Sequence, residues 1–200
     1  MGAEERLLQF ADKITEIARQ IAEERGRAIV FIDGRCASGK TTLGALLEER
    51  TACNLFHMDD FFLPFSQKTT ERLSRPGENV DHERFLAEVL RPLAAGEPFS
   101  YRPFDCGSQA LSAPVAVVPR RIAVVEGVYC CRPDLSPYGD LHVFLSVDPE
   151  EQMRRIRQRN GEAMALRFQN EWIPMEEAYF AAFSIPERCE LQFCTASMTT

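Results

Sequence analysis

The segment Gly34-Arg-Cys-Ala-Ser-Gly39-Lys40-Thr41 has the form G-x-x-x-x-G-K-[ST], a glycine-rich loop whose backbone N–H groups cradle phosphates. Its flanks constrain the fold further. Ala28-Ile-Val-Phe-Ile32 before it is short, apolar and rich in β-formers, the pattern of a buried strand. After it, Thr41-Thr-Leu43-Gly-Ala-Leu46-Leu47 places leucines at i, i+3 and i+4, one face of a helix. Strand, loop and helix in that order bring the backbone of Gly34, Ala37, Ser38, Gly39, Lys40, Thr41 and Thr42 around a phosphate chain. The positive end of the helix dipole then faces the same point. Lys40 would neutralise the outer phosphates and the Thr41 hydroxyl would hold Mg²⁺. The chain is expected to bind a nucleoside triphosphate, ATP or GTP.

The remaining pattern extends this into an α/β domain. An amphipathic helix is expected over Leu7, Phe10, Ile14, Ile17 and Ile21, stopping near Gly26. Further strands are expected at Asn54–Met58, Arg121–Val125, Leu141–Val147 and Glu190–Cys194. Residues 63–80 read as a polar loop, and a helix starts near Asp81, with Pro92 obscuring its end. Phe99–Phe104 and Val115–Val118 around Gly107 suggest a β-hairpin outside the main sheet. Helices follow over 149–159, with Asp148 as N-cap, and over 162–183, interrupted at Pro174. Strands alternating with helices imply a parallel sheet covered on both faces. The expected fold is a three-layer P-loop NTPase sandwich in a single domain over residues 1–200.

Composition narrows the partners. The 200 residues carry a formal charge of −7, which argues against nucleic acid or an anionic membrane as the main partner. No apolar run is long enough to span a bilayer. Seven cysteines without a C-x-x-C pair or a regular framework, and no secretory leader, read as free thiols in a reducing, cytoplasmic setting. His57, His82 and His142 lack the spacing of metal ligands. A homo-oligomer is compatible with all of this.

In such sheets ligands sit at the carboxyl ends of the strands. Acidic groups fall there at Asp33, Asp59 with Asp60, Glu126 and Asp148. Asp148 has a sufficient role as a helix cap, and Asp33 as a strand-end residue. Asp59 and Glu126 are the candidates for two needs of a hydroxyl-phosphorylating enzyme: a proton acceptor and a Mg²⁺-holding group.

Asp59-Asp-Phe-Phe-Leu-Pro64 resembles the D-x-[FY]-[FY] segment of the uridine kinase-like P-loop kinases, a group with the nicotinamide riboside kinases, phosphoribulokinase and bacterial pantothenate kinase. Asn79-Val-Asp81-His82 resembles their N-x-D-H segment, Tyr101-Arg-Pro-Phe104-Asp105 their Y-D-F hairpin, and Glu126-Gly127 their E-G. These matches keep their order from about residue 28 to 160. The resemblance implies that Asp59 is the general base, Glu126 helps hold Mg²⁺, and Asp81 binds vicinal ribose hydroxyls. Asp81 is equally placed to cap a helix. Phe62, Tyr101 and Phe104 would stack on a base, line the acceptor pocket, or form a small core. Residues 63–118 would form the acceptor side. Arg154 to Arg159 resembles these enzymes' arginine-bearing lid over 149–160, and Arg155 and Arg159 share a face at i, i+4.

The departures bear on the acceptor. Cys106-Gly-Ser-Gln109 follows the hairpin segment where uridine kinases place a histidine, and Phe62 stands where many have a tyrosine. Arg72, Arg75 and Arg102 could meet a carboxylate or phosphate on the acceptor, or face water. Glu171-Trp-Ile-Pro-Met-Glu-Glu-Ala-Tyr179-Phe has no counterpart among the better-known members. The resemblance implies phosphorylation of a nucleoside 5′-hydroxyl, as in uridine or cytidine. Nicotinamide riboside, or a non-nucleoside such as pantothenate, glycerate or a sugar phosphate, stays open. So does a nucleotide-binding regulator without catalysis, although no N-K-x-D guanine-reading segment is present.

Overall fold

Ala28–Gly34 lies at the centre of the fold with every residue buried, as an apolar run flanked by strands on both edges must. The computed structural model describes residues 2–195. In chain order it runs through helix α1 (Ala3–Arg25), the central strand β1 (Ala28–Gly34), α2 (Lys40–Thr51) and β2 (Asn54–His57). A region of short elements follows: α3 (Thr70–Leu73), α4 (His82–Phe85), α5 (Arg91–Ala95), β3 (Phe99–Tyr101), β4 (Phe104–Asp105), β5 (Ala110–Leu111) and β6 (Val115–Val117). The chain re-enters the sheet with β7 (Ile122–Glu126) and β8 (Leu141–Ser146). It ends with α6 (Pro149–Asn160), α7 (Glu162–Arg167), α8 (Ile173–Phe183) and β9 (Leu191–Cys194).

The main sheet has five strands in the order β2-β7-β1-β8-β9, all parallel. Side chains alternate between its faces and nucleate a core on each. Phe31, Phe56 and Val125 pack with Phe85 and Tyr179 on one side; Val30, Ile32 and Val124 pack with Ile14 and Leu43 on the other. Ile32 and His57 both stand opposite Glu126 in register, so the carboxyl ends of three strands reach one edge together. The fold is the three-layer α/β sandwich expected. β3 pairs with β6 and β4 with β5, both antiparallel and outside the main sheet, so the hairpin is present as a two-step ribbon.

Two prolines expected to end or interrupt helices do neither cleanly. A π turn over Leu86–Leu90 precedes Pro92, and another over Phe168–Trp172 precedes Pro174. Proline removes one i→i−4 bond and crowds the carbonyl four residues back; a widened turn just ahead lets the helix continue. Residues 63–80 are more ordered than a plain loop. Thr69 caps the single turn of α3 by accepting the Arg72 amide at 3.1 Å, and the Arg72 side chain pairs with Glu78 and Glu83. Asp148 caps α6 as expected, accepting the Glu150 amide at 2.9 Å. All seven cysteines are free thiols, and among the described residues no helix is long and apolar enough to cross a membrane.

Gly34, expected to serve the phosphate site, meets a different requirement first. Its φ is +139°, and a Cβ there would lie 2.0 Å from the Leu145 carbonyl oxygen on β8. The close approach of β1 and β8 therefore demands glycine. Gly34→Ala is expected to lose about 4 kcal/mol or more of stability, read as the shift in a urea unfolding midpoint.

Candidate active site

The loop from β1 to α2 bends through two left-handed residues, Ala37 (φ +58°) and Gly39 (φ +101°), before α2 begins at Lys40. Lys40 folds back over it: its ammonium donates to the Gly34 and Arg35 carbonyls at 2.8 and 2.9 Å. A cleft of about 1020 Å³ opens above. Ala37, Gly39, Lys40, Thr41 and Thr42 line it, as do Arg155 and Arg159 of α6. Gly34 and Ser38 do not. Ser38 is fully buried and its carbonyl accepts the Thr195 hydroxyl at 2.9 Å.

Across the cleft stand the strand-end acids. The Thr41 hydroxyl donates to Glu126 Oε1 at 3.1 Å, and His57 Nδ1 approaches the same oxygen at 2.6 Å. Glu126 is buried, and its carboxylate holds the His57 imidazole above its ordinary value against the opposing effect of burial. Thr41 and Glu126 thus present two hard oxygens side by side, a donor set that suits Mg²⁺. Asp59 lies on the 3₁₀ turn Met58–Phe61 after β2 and also lines the cleft. Its side chain opens to the cleft, but the protein crowds it on its other sides. That desolvation raises its carboxyl from the usual value; Lys40 opposes the rise and Glu126 adds to it. Its neighbour Asp60 turns the other way, toward the Tyr101 hydroxyl at 3.5 Å.

Of the residues expected to bind the acceptor, the structure brings Phe62 to the cleft and directs Asp81, Tyr101, Phe104 and Arg102 elsewhere. Asp81 caps α4, accepting the Arg84 amide at 3.1 Å with the Arg84 guanidinium 3.6 Å away. A cap bond at a helix start is local and available before any ligand arrives. Tyr101 is buried, with its ring stacked 5.7 Å from Phe61 and edge-on to Phe56. Phe104 is buried too, on β4. Arg102 spends its guanidinium on the Ser112 and Leu111 carbonyls of the hairpin, at 2.6 and 2.7 Å. Arg72 and Arg75 are likewise paired, with Glu78 and Glu83 and with Glu71.

Of the two lid arginines, Arg155 bonds Glu151, the Ala37 carbonyl at 3.1 Å and the Thr195 hydroxyl at 3.1 Å, so it tethers α6 to the phosphate loop. Arg159 lies 6.0 Å over the Phe168 ring. Among the cleft residues that escaped sequence reasoning are Lys68, Tyr129, Trp172 and Glu176. The last two lie in the segment that had no counterpart, and their signal was a pair of glutamates inside an otherwise apolar helix.

Solved structures of candidate kinases share this fold. A candidate uridine kinase from Bacillus stearothermophilus superposes with a TM-score of 0.68 at 22% identity, over 92% of this chain and 99% of the other. A candidate fructose transport system kinase from Silicibacter sp. TM1040 gives 0.65 at 23% identity, over 90% and 98%. A circularly permuted candidate P-loop kinase of Saccharomyces cerevisiae gives 0.67 at 11%, over 92% and 98%. No protein-family model and no curated sequence matches the chain. At these identities the likeness is one of fold.

Proposed function

We propose that the protein is a small-molecule kinase that transfers the γ-phosphoryl group of Mg²⁺-ATP or Mg²⁺-GTP to a hydroxyl. The observation that carries this is the convergence of Lys40, Thr41, Glu126 and Asp59 on one cleft. The loop amides and Lys40 bind and orient the triphosphate, with residues 149–160 acting as a lid and residues 63–118 as the acceptor side. Thr41 and Glu126 hold Mg²⁺, which when bound spreads the charge of the β- and γ-phosphates. Asp59 accepts the proton of the attacking hydroxyl; crowding by the protein raises its carboxyl from the ordinary value, which strengthens it as a base. His57 holds the Glu126 carboxylate in place from behind.

The sequence resemblance and the candidate uridine kinase among the similar structures support a nucleoside acceptor such as uridine or cytidine. A second reading is favoured by a specific observation. Arg72, Arg75 and Arg102 of the acceptor side are paired, whereas Lys68 lines the cleft with its ammonium 5.5 Å from the Phe65 ring. Asp81, the residue that would bind ribose hydroxyls, caps α4 instead, and the Tyr101 ring packs on Phe61. A non-nucleoside acceptor carrying a carboxylate or phosphate fits these facts.

ADP release from Mg²⁺-ATP is the test, with uridine, cytidine, nicotinamide riboside, pantothenate, glycerate and ribulose 5-phosphate as acceptors. Stimulation by one of them establishes the kinase; nucleotide binding with no stimulated release would point to a regulator. Asp59→Asn should keep nucleotide affinity and lower kcat by about a hundredfold or more. Because the Asp59 carboxyl is raised, the active, ionised form is lost as pH falls through a value above the usual carboxylate range. The rate should rise with pH across that ionisation, and Asn should abolish the step. Lys68→Met should raise KM for an anionic acceptor about tenfold and leave a neutral nucleoside unaffected; equal KM values would remove the anionic reading.

A further inference from the structure

Helix α8 grips the end of β1 and the entry half of the phosphate loop through three of its residues. Glu176 Oε2 accepts the Cys36 amide at 3.0 Å. Glu177 takes the Arg35 guanidinium in a two-pronged pair at 2.7 and 3.0 Å. The Tyr179 hydroxyl donates to Asp33 Oδ2 at 2.8 Å. From α6, Gln152 Nε2 donates to the Cys36 carbonyl at 3.0 Å, so the Cys36 peptide is held from both ends.

These contacts differ in kind. The Arg35–Glu177 pair is part-exposed and contributes little. Tyr179 and Asp33 are fully buried below the loop. Glu176 is 5% exposed and is the member of the three that also lines the cleft. A carboxylate sunk this far with one amide donor is costly unless a cation compensates, and Lys40 is that cation. The groups facing Glu176 are Lys40 from α2, the Cys36 thiol from the loop, Asp33 from β1 and Tyr129 from the segment after β7. Burial dominates among them and pushes its carboxyl up to about 6.

The residue after Cys36 shows what the anchor does. Ala37 sits at φ +58°, a left-handed conformation that a residue with a Cβ keeps only where its neighbours hold it. On one side of Ala37 is the Glu176-bound Cys36 amide; on the other, its own carbonyl accepts Arg155 at 3.1 Å. Releasing the first anchor lets the peptide relax toward ordinary φ values and rotates the amides that follow, from Ala37 to Thr42.

Resting on the kinase reading, we infer that Glu176 is a positioning residue for the nucleotide: it holds the Cys36 amide and thereby sets the path along which the loop presents its later amides to the phosphates. It acts through Cys36 and touches no phosphate itself.

The test is calorimetric binding of Mg²⁺-ATP without acceptor, so that it stands apart from catalysis, followed by KM for nucleotide and acceptor. Glu176→Ala should weaken Mg²⁺-ATP about tenfold or more and raise the nucleotide KM in step, with the acceptor KM within about twofold. Glu176→Gln keeps an acceptor oxygen for the Cys36 amide and should recover most of the affinity. Glu177→Gln should stay within about twofold of wild type. If the alanine variant does not fold, Glu176→Asp, one methylene short of the amide, should show the same loss of nucleotide affinity. Wild-type affinity in the alanine or aspartate variant overturns the inference, and so does a folded Gln variant as weak as alanine. A change confined to the acceptor KM overturns it too, moving Glu176 to the acceptor side. A wild-type protein that does not bind Mg²⁺-ATP overturns the kinase reading itself, which is a separate failure.

Discussion

The buried carboxylate of Asp33 is the interaction on which the rest of the structure converges. It has no solvent exposure, and burial raises its carboxyl from the ordinary value despite the donors around it. One donor is the neighbouring Gly34 amide at 2.7 Å; the other three come from distant parts of the chain, the Tyr129 amide at 3.3 Å, the Cys131 amide at 3.0 Å and the Tyr179 hydroxyl at 2.8 Å. An unpaired carboxylate at this depth would cost several kcal/mol; with four donors it becomes a joint. Through it the end of β1, the turn after Glu126 and helix α8 are fixed to one another. Tyr129 adopts φ +81° in that turn, a conformation the Asp33 bond helps to hold. The phosphate loop therefore starts from a rigid corner, and the carboxylates of the cleft are placed relative to it.

That placement explains the electrostatics of the cleft. Asp59, Glu126 and Glu176 all line it, with Lys40 among them. Lys40 lowers Asp59 and Glu176 while burial and neighbouring carboxylates raise them, so both end up above their ordinary values, Glu176 at about 6. Each acid has a distinct neighbour that defines its use. Glu126 has a hydroxyl and an imidazole, Glu176 has a backbone amide, and Asp59 faces the open cleft with no side-chain hydrogen bond among the described contacts. A free, crowded carboxylate suits proton transfer, whereas one already satisfied suits holding something in place.

How much of this was legible follows from how local each feature is. β1, the loop and α2 are consecutive, and their hydrophobic periods and glycines state them directly. The strand-end positions of Asp59 and Glu126 are also local, since each closes an apolar run. Side-chain direction in the acceptor region is not. The sequence leaves Asp81 between a ligand and a helix cap, Tyr101 between a pocket and a small core, and Arg102 between an anion and water; their partners are Arg84, Asp60 and the Ser112 carbonyl. Those choices depend on how a four-residue helix and a two-step hairpin pack, which no short window contains. Glu176 lies 140 residues from the amide it binds, so a sequence shows only an odd acid in an apolar helix.

The two π turns give that long-range contact a wider meaning. Pro174 sits at the start of α8, and the π turn before it joins α8 to α7 without a break in the helical path. Phe168 and Trp172, both on this turn, meet edge to face at 4.5 Å and line the cleft, with Arg159 and Arg167 over their rings. The aromatic wall of the cleft and the anchor of the phosphate loop are therefore one continuous piece of chain. Arg155 ties the preceding helix to the same loop through the Ala37 carbonyl. A widened turn is the compliant point in such an element, because its hydrogen bonds are poorer than those of the α segments on either side. Between Arg155 and Glu176, both bonded to the loop, the chain passes through Gly161 at φ +78° and then through the π turn.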